Sequence, residues 1–446
     1  MITINAEVAA YSLVLTVVCA ILFAIGPAAL VGRTDTQNAL RSDNTRAASG
    51  LRNGFRGLLI TAEMALAIVL LLGAGLLLRS FARLIAVKPG FETRGILIAS
   101  MNLPPTPSPN GDPKNAAFVR ELMTKLASAP GLISAGAASS APFGGYNLGS
   151  RIYFEGRPAP AVPVGQGTPV IAMTPEFFRT IGMPILSGRN LSDADSADRP
   201  RVAVVNVAFA QQNFQGEDPI GRRFNDGPPA ANTRWITIVG IVADSRHEDL
   251  SKAPVPEIFV PFDQLPIRRV TVTMRTAVPP ETLASFLREQ VRAIAPNQPI
   301  YDVSTMENRI DRALRDRRLE TLLLGSFAAL ALLLAAAGVY GVMSYSVAQS
   351  RREIGVRMAL GATSSAVTGE VLTRALKWSA AGIAAGLAAG WYLTRFLAGF
   401  LYGVGAKDPL IFGLAPVFLL AIALIASFLP ARRAAQVDPL EALRAE

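Results

Sequence analysis

The stretch Arg351-Arg352-Glu353-Ile354-Gly355-Val356-Arg357-Met358-Ala359-Leu360-Gly361-Ala362 lies between two long apolar runs, Leu319–Val347 and about Val371–Leu401. Each run is long enough to form a helix that crosses a membrane. The short interval between them leaves room for only one helix along the membrane surface. Because apolar side chains alternate with arginines in this interval, we interpret it as a docking element for another protein.

The composition indicates a membrane protein. Hydrophobic residues make up 51% of the chain and charged residues only 17%. Soluble domains average about 25% charged residues, and a helix needs about 20 apolar residues to cross the hydrocarbon. On this basis we predict five transmembrane helices, at Ala9–Leu30, Leu58–Leu78, Leu319–Tyr345, Leu372–Phe396 and Pro409–Leu429.

The formal net charge of +10 is concentrated in short loops. Residues 31–57 carry five Arg and two Asp, residues 346–377 carry five basic and two acidic residues, and residues 430–446 carry three of each. Short loops rich in Lys and Arg stay in the cytosol. Five alternating helices place all three segments on that side and the stretch 82–318 outside. The charge therefore reports topology, and we expect no nucleic-acid partner.

A short repeat links the two ends of the chain. Pro27–Arg41 aligns without gaps with Pro430–Arg444, and six of the fifteen positions are identical. Each copy follows an apolar span, and the first span has Glu7 where a signal peptide would carry basic residues. We therefore expect the first helix to be retained and to be the last helix of a preceding module.

The stretch 82–318 alternates strand and helix patterns, which predicts an α+β domain. Buried strands are expected at Val202–Val205 and Trp235–Val242. Val270–Met274 alternates apolar and polar residues, which is typical of a half-exposed strand.

Three helices are predicted in the same domain. The first runs from Thr174, as N-cap, to Gly182, which is suited to end it. The second covers Asn206–Phe214. The third has one apolar face, formed by Leu283, Phe286, Leu287, Val291 and Ile294.

Several motifs distributed along the chain carry a family resemblance. They are Ala62–Leu66, Gly73–Ser80, Thr174–Phe178, Gly188–Asp195, Asp218–Arg222, Arg351–Ala362, Pro430–Arg433 and Asp438–Arg444. With these motifs, and with one helix, a large external domain and three further helices, the chain resembles permease subunits of the MacB/FtsX type. Those subunits work with an ABC-type ATPase. The resemblance covers nearly the whole chain.

The resemblance implies a membrane α-helical fold with about five transmembrane helices and one large α+β extracytoplasmic domain. Residues 1–45 are the last transmembrane helix and tail of a preceding permease module, and 46–81 are a juxtamembrane helix and transmembrane helix 1. Residues 82–318 form a MacB-like core domain. Residues 319–446 form an FtsX-like domain with three transmembrane helices, a cytosolic coupling loop and a C-terminal tail. The chain departs from permeases with two modules because only the last helix of its first module is present. Whether it is a fragment or a short natural subunit stays open.

In this family the loop between the second and third helices of a module contacts the ATPase. The resemblance carries that coupling role over to Arg351, Arg352, Glu353, Gly355, Arg357, Leu360 and Gly361. The alternative is a solvated basic loop that follows the positive-inside rule. We expect the helix to be exposed, so that changes at Gly355 or Leu360 remove contact with the ATPase without disturbing a core.

Three other features each allow a functional and a structural interpretation. Glu63 lies about 7 Å into its helix, at about 1.5 Å per residue. It either snorkels to the headgroups or pairs with Arg56 or the coupling loop. The helix-packing residues Gly382, Gly386 and Gly390 permit close helix approach, either inside the module or at a seam with a second module or homodimer. His247 is the only histidine, so we expect no metal or catalytic site.

The sequence predicts an ABC transporter permease of the plasma (inner) membrane. It has no phosphate-binding Gly-x-x-x-x-Gly-Lys-Ser/Thr loop, so we expect ATP and Mg²⁺ to be used by a separate cytosolic ATPase. The ATPase would move the external domain, a mechanism called mechanotransmission. The resemblance implies export or extraction of peptide, lipid, lipoprotein or small-molecule cargo, and an extracytoplasmic adaptor as a further partner. The alternatives are a regulator of an external hydrolase or sensor, and a membrane-anchored enzyme.

Overall fold

The structure is a computed structural model in which the chain divides into two compact units. The helical unit comprises the described residues within 1–72, 328–393 and 412–446. The sheet unit comprises those within 73–327 and 394–411. The structure describes residues 10, 11, 13, 14, 16, 17, 45–105, 111–145, 149–158, 167–231 and 233–436, without the side chains of 45–56 and 352.

The helical elements from residue 45 onward range from one turn to twelve turns in length. They are α1 (Thr45–Ile85), α2 (Pro113–Leu126), α3 (Phe177–Ile181), α4 (Val207–Phe214), α5 (Leu283–Ile294), α6 (Met306–Gln349), α7 (Arg351–Ala359), α8 (Ser364–Leu393) and α9 (Pro409–Ala434). Short 3₁₀ helices occur at Pro280–Thr282 and Thr394–Phe400.

Four helices in the described part of the chain are long and apolar enough to cross a membrane. These spans are Gly57–Ile85, Met306–Gln349, Ser364–Phe400 and Pro409–Ala434. Each contains one of the predicted spans. The remaining predicted span, Ala9–Leu30, falls almost entirely outside the described residues. Helices suit hydrocarbon because they satisfy their own backbone hydrogen bonds.

The sheet unit is built on one mixed sheet. Its strands are β1 (Ile96–Asn102), β2 (Leu132–Ala138), β3 (Gly149–Ser150), β4 (Tyr153–Phe154), β5 (Thr168–Met173), β6 (Ile185–Gly188), β7 (Val202–Asn206), β8 (Arg223–Asn225), β9 (Ile236–Val242), β10 (Ile258–Pro261), β11 (Arg269–Thr276) and β12 (Tyr301–Thr305). The spatial order is β12-β1-β11-β2-β5-β10-β7-β9-β8-β4, with β3 beside β5 and β6 beside β9. Parallel pairing occurs between β5 and β10 and between β7 and β9.

Both faces of the sheet are covered by hydrophobic clusters. In β1, Leu97 and Met101 point into a cluster that includes residues of α2 and α5, whereas Ile96 and Ile98 point into a second cluster that includes residues of α3. Successive side chains of a strand point to opposite faces, so a strand covered on both sides reads as continuously apolar. The predicted strands at Val202–Val205 and Trp235–Val242 are confirmed, as are the helices at 206–214 and 283–294.

The predicted half-exposure of Val270–Met274 is wrong, because every residue of this segment is buried. The segment belongs to β11, which lies between β1 and β2 inside the sheet. Its polar residues remain stable there because their hydroxyls are hydrogen-bonded. Thr273 donates to the Gly136 carbonyl at 3.0 Å, and the hydroxyl of Thr271 lies 3.3 Å from that of Ser100.

The sequence predicted a helix in the external domain that begins with Thr174 as its N-cap, and this start is also wrong. Helix α3 begins at Phe177, and its end at Gly182, where φ is +73°, is as predicted. The Thr174 hydroxyl does not cap the helix because it binds the backbone of Ala137, accepting from the amide at 2.9 Å and donating to the carbonyl at 3.3 Å. A threonine before a helix can therefore serve a neighbouring strand instead.

His247 forms a buried pair with Glu257 in the sheet unit. Its Nδ1 lies 3.3 Å from Oε1 of Glu257, and the two side chains are 3% and 0% exposed. Burial lowers the pKa of His247 to about 4 and raises the pKa of Glu257 to about 8. Desolvation disfavours both charged forms, so between these pH values the imidazole stays neutral and the carboxylic acid keeps its proton.

This pair predicts a specific pH dependence of stability. The raised pKa of Glu257 stabilises the fold below pH 4.5, an effect lost as pH rises to about 8. The lowered pKa of His247 stabilises it above pH 6.5, an effect lost as pH falls to about 4. The two slopes cancel between pH 4.5 and 6.5. Above pH 6.5, stability should fall by up to about 1.4 kcal/mol per pH unit until about pH 8.

Thermal unfolding of the purified chain between pH 6 and 8.5 should therefore show a decline that Glu257→Gln removes. The exposed neighbour Glu248 offers a matched control, since Glu248→Gln should leave most of the decline in place. An equal decline in wild type and Glu257→Gln would mean that Glu257 does not carry the buried proton.

Candidate coupling interface

Helix α7 is a short helix between two spans, with suitable charges at both ends. Glu353 lies in its first turn and Arg357 in its last, which complements the helix dipole. The helix ends at Ala359 with Leu360 as its C-cap, and Gly361 follows with a φ of +99°, the left-handed conformation that glycine adopts without strain. The amide of Gly361 donates to the carbonyl of Met358 at 3.0 Å, which closes the last turn.

One face of α7 packs against the transmembrane helices of the helical unit. Ile354 and Met358, one turn apart, contact a small buried cluster formed by Val347, Val367 and Ala434, with Val371 at its edge. Ion pairs support the same contact. Arg357 binds Glu353 at 2.6 Å and Glu370 of α8 at 2.8 Å. These side chains are about half exposed, so each pair contributes roughly 1 kcal/mol or less and mainly sets orientation.

The opposite face of α7 and the residue after its C-terminus expose apolar side chains. Leu360 is 84% exposed and Val356 is 41% exposed. Fully exposed leucines are ordinary where they face lipid, but this one lies in a loop between two membrane helices next to charged residues. An apolar patch with a polar rim is typical of a protein-binding surface.

The predicted coupling residues differ in their exposure to solvent. Arg351, Glu353, Arg357, Leu360 and Gly361 are exposed, whereas Gly355 is buried. The side chain of Arg352 lies outside the described part of the structure. The expectation that α7 touches no core is therefore wrong, because Gly355 and the Ile354–Met358 face lie against the transmembrane helices. The role of the set in ATPase contact stays a prediction.

Sequence reasoning missed Glu370, which holds Arg357 and thereby fixes α7 to α8. A signal was present, since Glu370 precedes Arg374 by four residues on one helix face, and the two side chains lie 3.7 Å apart. That spacing identifies a helical ion pair but gives no hint of Arg357, which reaches Glu370 only once the chain turns back between α7 and α8.

Gly382, Gly386 and Gly390 line the face of α8 that meets α1. A Cβ built on each would overlap atoms of α1, namely those of Thr61, Ile68 and Leu72 respectively. All three glycines are buried in the helical unit. The structure therefore places them at a helix contact inside the module, one of the two interpretations that the sequence left open.

Glu63 of α1 lies against Gly338 of α6, where a Cβ on the glycine would overlap the carboxylate. Among the side chains that the structure describes, no Lys or Arg forms an ion pair with Glu63 within 4.0 Å. The side chain of Arg56, one of the predicted partners, lies outside the described set. A glycine on the neighbouring helix thus makes room for this carboxylate.

A second cluster, unforeseen from the sequence, ties the outer end of α1 to the loop before α9. We call this loop, residues 400–408, the outer loop. Arg79 forms an ion pair with Asp408, and Ser80 accepts a hydrogen bond from the amide of Tyr402 at 2.8 Å. Arg83 donates to the carbonyl of Gly403. From α6, Arg317 donates to the carbonyl of Phe400 at 2.6 Å.

Asp408 has a second role in this cluster. Its Oδ1 accepts from the amides of Leu410 and Ile411 at 3.0 and 3.4 Å, which caps the first turn of α9. The same carboxylate therefore starts α9 and binds α1 through Arg79. The side chain of Asp408 is only 10% exposed. Its ion pair with Arg79 is therefore better shielded from solvent than the ion pairs of α7.

Two family descriptions match the chain. The MacB-like periplasmic core domain matches residues 64–290, just over half of the chain, and the C-terminal domain of FtsX-like permeases matches residues 325–439. The chain therefore belongs to the MacB/FtsX-type permeases, as its motifs indicated. It is a multi-pass helical membrane protein with one large α+β extracytoplasmic domain.

Two curated relatives are exporters in which an ATP-binding part and a permease part are named together. The macrolide export protein MacB of Marinobacter nauticus is 28% identical over 276 residues, covering 59% of this chain and 41% of that protein. The pyoverdine export protein PvdT of Pseudomonas syringae pv. syringae is 26% identical over 291 residues, covering 60% and 42%. The chain spans about two-fifths of the length of these relatives.

Among solved structures, the chain is similar to the periplasmic region of MacB from Actinobacillus actinomycetemcomitans. The sequence identity is 13% and the TM-score 0.34. The match covers 51% of this chain and 94% of the solved one.

We predict that Gly386→Ala destabilises the helical unit. The added methyl group would overlap Ile68 and the backbone of Ala65, and overpacking of this kind costs about 1–3 kcal/mol. Gly369→Ala is the matched control, because a Cβ at that position of the same helix meets nothing within 4 Å. Thermal unfolding in one detergent compares the two. Equal midpoints would show that α1 and α8 do not pack closely through Gly386.

Proposed function

We propose that the chain is the permease subunit of an ABC transporter in the plasma (inner) membrane. In this proposal a separate cytosolic ATPase, which uses ATP and Mg²⁺, binds α7. Movement of α7 is passed through the transmembrane helices to the sheet unit outside the cytosol. The protein would thus convert ATP hydrolysis into displacement of its external domain.

The observation that carries the proposal is the division of α7 into a held face and a free end. Ile354 and Met358 anchor the helix to α6, α8 and α9, while Leu360 projects almost fully exposed. An anchored helix passes an applied force to its supports, whereas an unanchored loop would absorb it. The exposed apolar side chain supplies the kind of contact on which partner affinity concentrates.

Helix α6 supports the transmission step. It runs without interruption from Met306 to Gln349, and the amide of Ser350, just before α7, still bonds back to the carbonyl of Ser346 at 3.1 Å. Within the sheet unit, the outer loop is tied to the outer ends of α1 and α6 by Arg79, Ser80, Arg83 and Arg317. These ties favour joint movement of the helix ends and the outer loop.

The named relatives support export as the purpose of this movement. They are described as exporters of macrolides and of pyoverdine, so a small molecule is a reasonable cargo class for this chain, beside peptides, lipids and lipoproteins. The second candidate is a regulator that switches an external hydrolase or sensor. Co-purification from native membranes, with identification of the ATPase and the external partner, separates these candidates.

The sharpest test of the docking surface is Leu360→Asp. Because Leu360 has no core to leave, we predict normal membrane levels but at least about tenfold weaker ATPase binding, as expected for loss of a hot-spot residue. Leu186→Asp, at an exposed leucine of the sheet unit, is the control. Gly355 is unsuitable because it is buried. Unchanged ATPase binding by Leu360→Asp would refute the assignment of α7.

The ion pair between Arg79 and Asp408 offers a test of transmission. We predict that Arg79→Asp leaves ATPase binding intact but lowers the ATP-dependent movement of a spin label placed on the external domain. The reversed pair, Arg79→Asp with Asp408→Arg, should restore part of that movement, although it sacrifices the cap on α9. Full movement in the single variant would show that the outer loop does not transmit force.

Membrane topology can be tested by labelling cysteines in intact cells after Cys19→Ala. An impermeant maleimide should reach Ser192→Cys in the external domain and should not reach Ser364→Cys at the start of α8. The prediction follows from the basic loops around α7, which keep that side in the cytosol. Labelling of Ser364→Cys without permeabilisation would show that the start of α8 lies outside the cytosol and would contradict the predicted topology.

A further inference from the structure

A cavity of about 440 Å³ lies beside the N-terminal end of α6 in the sheet unit. Its lining includes Phe143, Gly145, Glu248, Asp302, Arg309 and Arg312. The cavity is remote from α7 in sequence and has no part in the coupling proposed above. Its walls combine polar and charged side chains, and its α6 residues precede the apolar run of that helix, which starts at Leu319.

The most unusual group in this wall is Arg309, which is only 3% exposed. Its Nη2 donates to Asp302 at 2.7 Å and to the hydroxyl of Ser100 at 3.2 Å. Among the residues that the structure describes, neither Nε nor Nη1 has a hydrogen-bond acceptor. Buried guanidinium donors without an acceptor are costly, so a cavity beside them is expected to receive one.

The backbone around the cavity is also unusual. Of the three non-glycine residues with positive φ in the described chain, two line this cavity, Phe143 at +57° and Asp302 at +51°. Such conformations are unfavourable for residues other than glycine and cluster at ligand sites, where the surrounding structure enforces them. The carboxylate of Asp302 binds both Arg309, at 2.7 Å, and Arg312, at 2.9 Å.

The charge balance indicates the kind of ligand. Arg309 and Arg312 line the cavity, and Arg269 lies next to it, donating to the carbonyl of Gly144 at 3.2 Å. The acidic groups Asp302 and Glu248 balance the two arginines of the lining, and Arg269 beside the cavity adds one positive charge. A single negative charge completes the balance, whereas a dianion would face repulsion from both carboxylates.

The position along α6 excludes a lipid still embedded in the bilayer. Arg309 precedes the apolar run that starts at Leu319 by roughly 15 Å of helix, at about 1.5 Å per residue. The headgroup layer extends only about 5–7 Å beyond the hydrocarbon. A ligand reaching Arg309 therefore comes from the aqueous phase.

We propose that this cavity binds the carboxylate of a small water-soluble ligand, such as an organic acid or the C-terminus of a short peptide, through Arg309 and Arg312. The Nη1 donor of Arg309 is covered by Gly144, since a Cβ on that glycine would lie 3.5 Å away. The Gly144–Gly145 segment has no side chains to displace, so a small shift there opens the donor to the ligand.

The test uses the full chain in nanodiscs and calorimetric titration with three probes: N-acetyl-Ala-Ala, its C-terminal amide, and inorganic phosphate. We expect the free carboxylate to bind and the amide and phosphate to bind at least about tenfold more weakly. Arg309→Lys keeps the buried charge but loses the guanidinium donors, and should weaken carboxylate binding at least about tenfold.

Two further variants separate loss of the site from loss of the fold. The double variant Arg309→Gln with Asp302→Asn removes both partners of the ion pair, leaves no unpaired buried charge, and should abolish binding. Arg288→Gln, at an exposed arginine outside the cavity, should bind as wild type does. The proposal is overturned if no probe binds, if phosphate binds as tightly as the carboxylate, or if Arg309→Lys binds unchanged.

Discussion

The whole arrangement depends on the requirement that backbone in hydrocarbon form its own hydrogen bonds. This requirement makes α1, α6, α8 and α9 continuous helices through their apolar segments, because an irregular stretch there would leave polar groups unsatisfied. The short helix α7 and the outer loop both lie at ends of these helices, and each is held to its neighbours by side-chain contacts.

The two junctions use different physical means. At α7 the contact is a small apolar cluster supported by half-exposed ion pairs, which hold orientation while leaving Leu360 exposed. At the outer loop the contact is a shielded ion pair, Arg79 with Asp408, in which the carboxylate also caps α9. Because the carboxylate serves both partners, breaking it would release α1 and loosen the start of α9 together. The ion pair of the outer junction is accordingly the better shielded from solvent of the two.

Tight helix packing supplies the third element. Gly382, Gly386 and Gly390 bring α8 against α1 closely enough that a methyl group would not fit. Lipid offers no hydrophobic driving force between helices, so close van der Waals contact has to provide the association. This contact stabilises the support against which α7 is held, since α8 carries both Glu370 and the glycine face.

Sequence alone determined the class of protein, four of the helices, the alternating strands and helices of the external domain, and the place of α7, because these depend on local hydrophobic length and periodicity. Tertiary structure decided what depends on neighbours distant in sequence. The burial of Val270–Met274 follows from β1 and β2 on either side, and the burial of Gly355 from helices that meet α7 only in the fold. The pairing of Arg79 with Asp408 and the hydrogen bond from Arg309 to Ser100 likewise required the fold, because no local pattern brings together residues so far apart in the chain.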